Sequence, residues 1–99
     1  MRLTHDQIQA IKQTAHDILG DDSRVILFGS RTDDTKKGGD IDLLFEINHT
    51  LDSRAATTGE LYVSLIRKLG DRRIDILLKD ASTPEAPVLQ IARQNGIQL

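Results

Sequence analysis

The stretch VILFGSRTDDTKKGGDIDLLFE, Val25 to Glu46, contains the clearest structural pattern in the sequence. A run of apolar residues ends abruptly at a Gly-Ser pair, and a polar segment of nine residues follows it. Asp40 and Asp42 then flank a single isoleucine, after which the apolar pattern resumes. The pattern predicts two short strands joined by a polar loop, with the two aspartates where the second strand begins.

The second of these strands alternates as a strand with one face in the core should. One face carries Ile41, Leu43, Phe45 and Ile47, and the other carries Asp40, Asp42, Leu44 and Glu46. Glu46 lies far along the strand from the two aspartates, so we expect it to be exposed to solvent and not to be a ligand. A later segment, RRIDILLK, alternates in the same phase, and Asp75 within it can add a third carboxylate to that face.

Helical patterns and end signals surround the strands. A Thr-x-x-Gln capping box begins the first helix, and glycines end the first two helices. The order α-β-β-α-β-α predicts a single α/β domain over residues 1–99 with a small mixed sheet packed by helices. The predicted elements are a helix capped by Thr4 and ended by Gly20, a strand from Arg24 to Phe28, a strand from Ile41 to Ile47, a helix from Asp52 or Ser53 to Leu69, a strand over residues 72–79, and a helix capped by Thr83, with Pro84 first, through about Gln94.

Composition excludes several classes of function. The chain has 99 residues, no cysteine and a formal net charge of −2, which suits one domain with a single core. The charge argues against binding to nucleic acid by bulk electrostatics, and three aromatic residues are too few for a base-stacking platform. There is no signal-peptide pattern and no apolar run of membrane-spanning length, so we expect a soluble protein of the reducing cytoplasm.

Three carboxylates on one face of a sheet need a reason, because like charges brought together repel. An Asp-x-Asp pair alone is more often a solvated strand end, but here Asp75 follows in phase on a later strand. Asp40, Asp42 and Asp75 offer oxygen ligands only, which suit a hard cation such as Mg²⁺ or Mn²⁺. Two such ions can hold the attacking and leaving oxygens of a phosphoryl-type displacement, so the pattern predicts a catalytic metal site.

The Gly-Ser pair fits the same chemistry. Gly29, directly after a strand, lets the backbone turn and approach a ligand without a Cβ in the way. Backbone N–H groups and the Ser30 hydroxyl at such a turn can bind phosphate oxygens, and Arg31 adds a cation beside them. The alternatives are that Ser30 only caps a helical turn and that Arg31 is a surface residue.

Together, GSRTDDTKKGGDIDLLFE and RRIDILL resemble the nucleotidyltransferase superfamily of DNA polymerase β. Its motif is Gly-Ser, a spacer, Asp-x-Asp and a later Asp on another strand. Within it the chain is similar to the minimal nucleotidyltransferases, or MNT antitoxins, in its single-domain length, in Arg31 after Gly-Ser and in its ending IARQNGIQL. The resemblance covers nearly the whole chain, although the spacer is one residue shorter than is common in the antitoxins.

The resemblance implies a polymerase β-like fold and AMP transfer from ATP to a hydroxyl, usually of tyrosine, on a HEPN-domain toxin. Asp40 and Asp42 would hold two Mg²⁺ ions, and Asp75 would hold the ion that activates the acceptor and help accept its proton. Gly29 and Ser30 would bind the β- and γ-phosphates, with Arg31 as a further nucleotide-binding residue.

Two other functions stay open beside this one. In the first, the chain is a binding antitoxin with an idle site, which neutralises the toxin by occlusion. In the second, it is an antibiotic nucleotidyltransferase, although known examples need a further helical domain. We expect neither direct nucleic-acid binding nor membrane association in any of these cases.

Overall fold

A computed structural model describes residues 3–29, 40–70 and 72–99 of the chain. Ser30 and Arg31, two of the predicted nucleotide-binding residues, lie outside these ranges. Within them the chain forms three helices and four strands. In chain order the elements are α1 (His5–Leu19), β1 (Arg24–Phe28), β2 (Ile41–Glu46), α2 (Arg54–Leu69), β3 (Ile74–Lys79), α3 (Pro87–Asn95) and β4 (Ile97–Gln98).

The strands form one mixed sheet in the order β3-β2-β1-β4. β1 pairs antiparallel with both β2 and β4, whereas β2 and β3 are parallel. Parallel neighbours need a long crossover, and α2 supplies it between β2 and β3. The predicted mixed sheet is therefore confirmed, with β1 and β2 in its centre and β3 at one edge.

Helices cover the two faces of the sheet. α1 and α2 pack on one face over the larger core, in which Ile11, Leu43, Phe45, Leu61 and Leu65 are completely buried. α3 packs on the other face over a smaller cluster, made of Ile26, Leu44, Leu89 and Ala92. Successive residues of β1 and β2 alternate between these clusters, as the period of two requires.

The predicted start of the first helix is confirmed in atomic detail. The Thr4 hydroxyl accepts a hydrogen bond from the Gln7 N–H at 3.1 Å, and the Thr4 N–H donates to Gln7 Oε1 at 2.8 Å. Ser53 caps α2 in the same way through the backbone N–H three residues on. These caps satisfy backbone donors that a helix leaves unpaired at its start.

The last helix begins later than predicted. α3 starts at Pro87 with Ala86 as its N-cap, and not at Pro84. Thr83 is no cap, because its hydroxyl donates to Asp80 Oδ1 at 2.9 Å and accepts from the Asp80 N–H at 3.1 Å. The Thr-Pro pair belongs to a turn that Asp80 closes, and the helix begins only after that turn.

The short strand β4 was not predicted. It pairs with β1 at the residues Ile26 and Leu27, and the Leu99 N–H donates to the Val25 carbonyl at 2.9 Å. A strand of two residues is too short to show an alternating pattern. The observed order is therefore α-β-β-α-β-α-β.

Candidate functional site

Asp42 and Asp75 are direct neighbours across the parallel pair of strands. The register of β2 and β3 pairs Asp42 with Asp75 and the adjacent Ile41 with Ile74. Adjacent strands lie about 4.8 Å apart and paired residues point to the same side, so the two carboxylates share one face of the sheet. Since Ile41 and Ile74 belong to the larger core, the carboxylates lie on the opposite face, on which α3 packs.

The three predicted carboxylates lie at one end of the sheet. Asp40 comes one residue before β2 and is exposed, and the side chain of Asp75 is 53% exposed. Asp42 between them is partly buried. Because β1 is antiparallel to β2, Gly29 at the end of β1 comes to this same end.

Gly29 holds the backbone against the Asp42 side chain. Phe28, the last residue of β1, pairs with Asp42, and Gly29 follows with a φ of 73°. A Cβ on Gly29 would lie 3.0 Å from Asp42 Cγ and closer still to Oδ2. Any other residue would strain the backbone and displace the carboxylate, so only glycine fits beside Asp42 as it stands.

Asp75 has a cationic neighbour on its own strand segment. Arg73 Nε lies 3.4 Å from Asp75 Oδ2, and the Arg73 side chain is 71% exposed. The two residues are two positions apart, which places them on the same side of the strand. An exposed ion pair of this kind contributes little to stability, so Arg73 can leave Asp75 at small cost.

The donor chemistry of this end fits a hard divalent cation, because it offers paired carboxylate oxygens. Gly29 adds a close backbone approach to one of them. Among the described residues, however, no three acidic, histidine or cysteine side chains come together as a complete metal-binding group. The structure thus pairs Asp42 with Asp75 and places Asp40 just before the same strand, and among the described residues it does not bring all three together as a metal-binding group.

Glu46 was predicted to be solvent-exposed, and this prediction is wrong. Its side chain is only 6% exposed and lies against Arg93 of α3. Arg93 Nε donates to both Glu46 oxygens, at 3.2 and 3.0 Å, and a terminal nitrogen donates to Oε2 at 2.8 Å. Arg93 also donates to Glu85; the two carboxylates, Glu85 foremost, raise the pKa of Arg93, and Arg93 lowers the pKa of Glu85. Glu46 therefore anchors α3 to the sheet.

Asp80 is a buried carboxylate to which the sequence pattern did not point. It is 1% exposed and accepts hydrogen bonds from the Leu51 N–H, the Ser82 N–H and the Ser82 and Thr83 hydroxyls, at 2.7 to 2.9 Å. These donors, the Leu51 N–H foremost, hold the pKa of Asp80 well below its usual range. Asp80 joins the segment before α2 to the turn after β3, so its role is structural. The Asp-x-Ser-Thr sequence after a strand was the available signal for such a turn.

Comparison of the chain with protein-family models and with curated proteins finds no match. In the part of the chain that the structure describes, none of the helices combines the length and apolar character needed to cross a membrane. What the protein does must therefore be inferred from the Asp42–Asp75 pair and from Gly29 beside it.

Proposed function

We propose that this chain is a nucleotidyltransferase of polymerase β-like fold, which transfers AMP from ATP to a hydroxyl of a partner protein. It would use two Mg²⁺ ions and act in the cytoplasm. The observation that supports this best is the pairing of Asp42 with Asp75 across parallel strands. Carboxylates held side by side repel, and a bound cation removes that repulsion.

The position of each residue in the site suggests its role in the proposed reaction. Asp40 and Asp42 would hold both ions, and Asp75 would hold the ion nearer the acceptor. When bound, the ions neutralise phosphate oxygens and align the groups for in-line displacement. The backbone at Gly29, together with Ser30 and Arg31, would bind the β- and γ-phosphates.

The proposed reaction forms one bond and breaks one. The acceptor oxygen bonds to the α-phosphorus, the bond from that phosphorus to the bridging oxygen of the β-phosphate breaks, and pyrophosphate leaves. Asp75 accepts the hydroxyl proton. It suits this role because it is more exposed than Asp42 and lies on an edge strand, where a hydroxyl from another protein can reach it.

The partner follows from the resemblance of the motifs, which points to a HEPN-domain toxin with a tyrosine acceptor. The acceptor side of the site is compatible with a protein substrate, because the sheet ends there in β3 with the Asp75 carboxylate half exposed.

One observation favours a second candidate, a binding antitoxin whose site is idle. Arg73 already lies beside Asp75 and partly neutralises it, so the carboxylate has a partner without a metal. In that case the chain would bind the same toxin and block it without transferring a nucleotide.

The deciding experiment uses ATP labelled at either the α- or the γ-phosphate. The acceptor is the purified product of the neighbouring reading frame, which the proposal expects to be a HEPN-domain protein. We expect label from α-labelled ATP only, and none with Asp42→Asn. Asp52→Asn is the matched control, because it makes the same change at an exposed residue before α2. It should transfer label like the wild type.

Each other outcome has a definite meaning. Transfer of the γ-label would show that the chemistry is that of a kinase. Stable association without any transfer, unchanged by Asp42→Asn, would support the idle antitoxin. If the two proteins neither associate nor exchange label, the partner is wrong, and ATP binding by the chain alone then tests the nucleotide part.

A further inference from the structure

α2 presents to solvent a face that no other described element covers. Ala56, Glu60, Val63 and Arg67 follow one another at alternating intervals of four and three residues, and all four are exposed. This is the spacing of the contact seam between two packed helices. Val63 at its centre is 49% exposed, and the seam borders a shallow groove of about 480 Å³ that reaches Ile18 of α1.

Gly59 lies beside this seam, and nothing in the described part of the chain requires a glycine at this position. It lies in the interior of α2, its φ is not positive, and a Cβ built on it would meet nothing within 4 Å. Glycine at an exposed position inside a helix lowers the stability of that helix relative to alanine. A second helix packed closely on α2 would account for the glycine, because the absence of a side chain lets another backbone approach.

The charges of the seam on one copy of the chain are complementary to those of the same seam on a second copy. Glu60 and Arg67 lie on one stripe of α2, two turns apart, which is about 10 Å along the axis and too far for them to pair with each other. A two-fold axis between Val63 and Ser64 reverses the helix direction. It brings Glu60 of one copy opposite Arg67 of the other, and it does so twice.

We propose that α2 packs antiparallel against α2 of a second copy of this chain. Val63 meets its own counterpart at the centre, with a Glu60–Arg67 pair on either side. The arrangement is independent of the proposed catalytic function, because α2 covers the face of the sheet opposite to Asp42 and Asp75. The contact between the two copies therefore does not involve the face that carries these two carboxylates.

A single helix pair buries little surface, so the association is weak and depends on concentration. Charge reversal tests this association and distinguishes the proposed register from nonspecific association. Glu60→Arg and Arg67→Glu each place like charges opposite each other in a homodimer, but a mixture of the two variants restores opposite charges at both contacts and removes none of the apolar ones.

The measurement is sedimentation velocity of the full chain from about 10 µM to about 1 mM, a range that reports weak affinities. The wild type should shift towards the mass of a dimer, and each single variant should remain a monomer. The double variant Glu60→Arg/Arg67→Glu should regain association, because exchanging both charges restores both pairs. Lys12→Glu, which makes the same charge change on exposed α1, should associate like the wild type.

Two results would overturn the proposal. One is a wild type that stays monomeric at the highest concentration, which would leave this face to a different partner. The other is a dimer that both single variants form as well as the wild type, which would place the contact elsewhere. Circular dichroism of each variant checks that the substitutions at these exposed positions leave the fold intact.

Discussion

The two ends of β2 carry the same kind of side chain in opposite circumstances. Glu46 and Asp42 lie four residues apart on one strand and on one face. Glu46 is buried under α3 and accepts hydrogen bonds from Arg93. Asp42 lies at the other end, paired in register with Asp75 and close to the Gly29 backbone.

The difference separates a structural carboxylate from a candidate catalytic one. Burial with a cation in bidentate contact accounts fully for Glu46, because both charges are satisfied within the chain. Asp42 and Asp75, by contrast, are two carboxylates side by side at the other end of β2, and we propose that a bound cation offsets their repulsion. Mutations at the two ends of β2 test whether they differ in this way.

The largest effect should come from the buried end. Arg93→Ala leaves Glu46 buried without its cation, and we expect a loss of about 3 kcal/mol of stability, which lowers Tm by more than 10 °C for a domain of this size. Thermal unfolding measures it, with exposed Lys12→Ala as the control. The folded fraction of this variant should still be stabilised by Mg²⁺-ATP. A loss no greater than that of the control would mean that Glu46 does not depend on Arg93.

The next largest effect should come from Gly29→Ala, at the end of the sheet that carries Asp42. The positive φ and the contact with Asp42 together should cost about 2 kcal/mol. Gly59→Ala is the matched control, since its Cβ meets nothing and the helix gains about 1 kcal/mol. Opposite shifts in Tm are therefore expected for the same chemical change. Equal shifts would show that Gly29 does not press on the carboxylate.

Asp42→Asn should act in the opposite direction to a structural mutation. Removing one of two adjacent charges should raise the stability of the metal-free chain by about 0.5–1 kcal/mol. The wild type should gain stability with Mg²⁺-ATP by ligand linkage, and the variant should lose most of that gain. Four melting curves, with and without ligand, measure both effects. A destabilised variant together with an unresponsive wild type would make Asp42 structural.

The smallest effect is expected for Arg73→Gln. Its ion pair with Asp75 is exposed, so stability should change by less than about 0.5 kcal/mol. Mg²⁺ should nevertheless bind more tightly, because Asp75 loses a competing cation. Calorimetric titration with Mg²⁺ measures this, and unchanged or weaker binding would show that Arg73 does not compete for the site.

Local patterns predicted most of the elements, because each depends on residues close in sequence. The Thr4–Gln7 capping box and the alternation around Leu43 are examples. The common phase of Asp42 and Asp75 was likewise readable, since it requires only the period of two. That Asp42 and Asp75 are direct neighbours could not be predicted, because strand order and register depend on how α2 crosses over the sheet.

The wrong predictions have a common cause, because both positions are decided by tertiary contacts that no local pattern shows. Glu46 is buried by Arg93, 47 residues away, and no local pattern indicates that partner. The Thr-Pro pair predicts that Thr83 caps a helix, but the Thr83 hydroxyl donates to the Asp80 carboxylate instead. Tertiary contacts decided both positions over local preference.

The parallel register of β2 and β3 also has a consequence for how the chain folds. β1 and β2 can pair through a local connection, but Asp42 meets Asp75 only after α2 has closed a much longer loop. Repulsion between the two carboxylates thus arises in a contact of high sequence separation, which tends to form late. A cation bound there acts mainly after the folding barrier, so it should slow unfolding while leaving the folding rate almost unchanged. Metal binding would then lengthen the lifetime of the folded chain more than it hastens its formation.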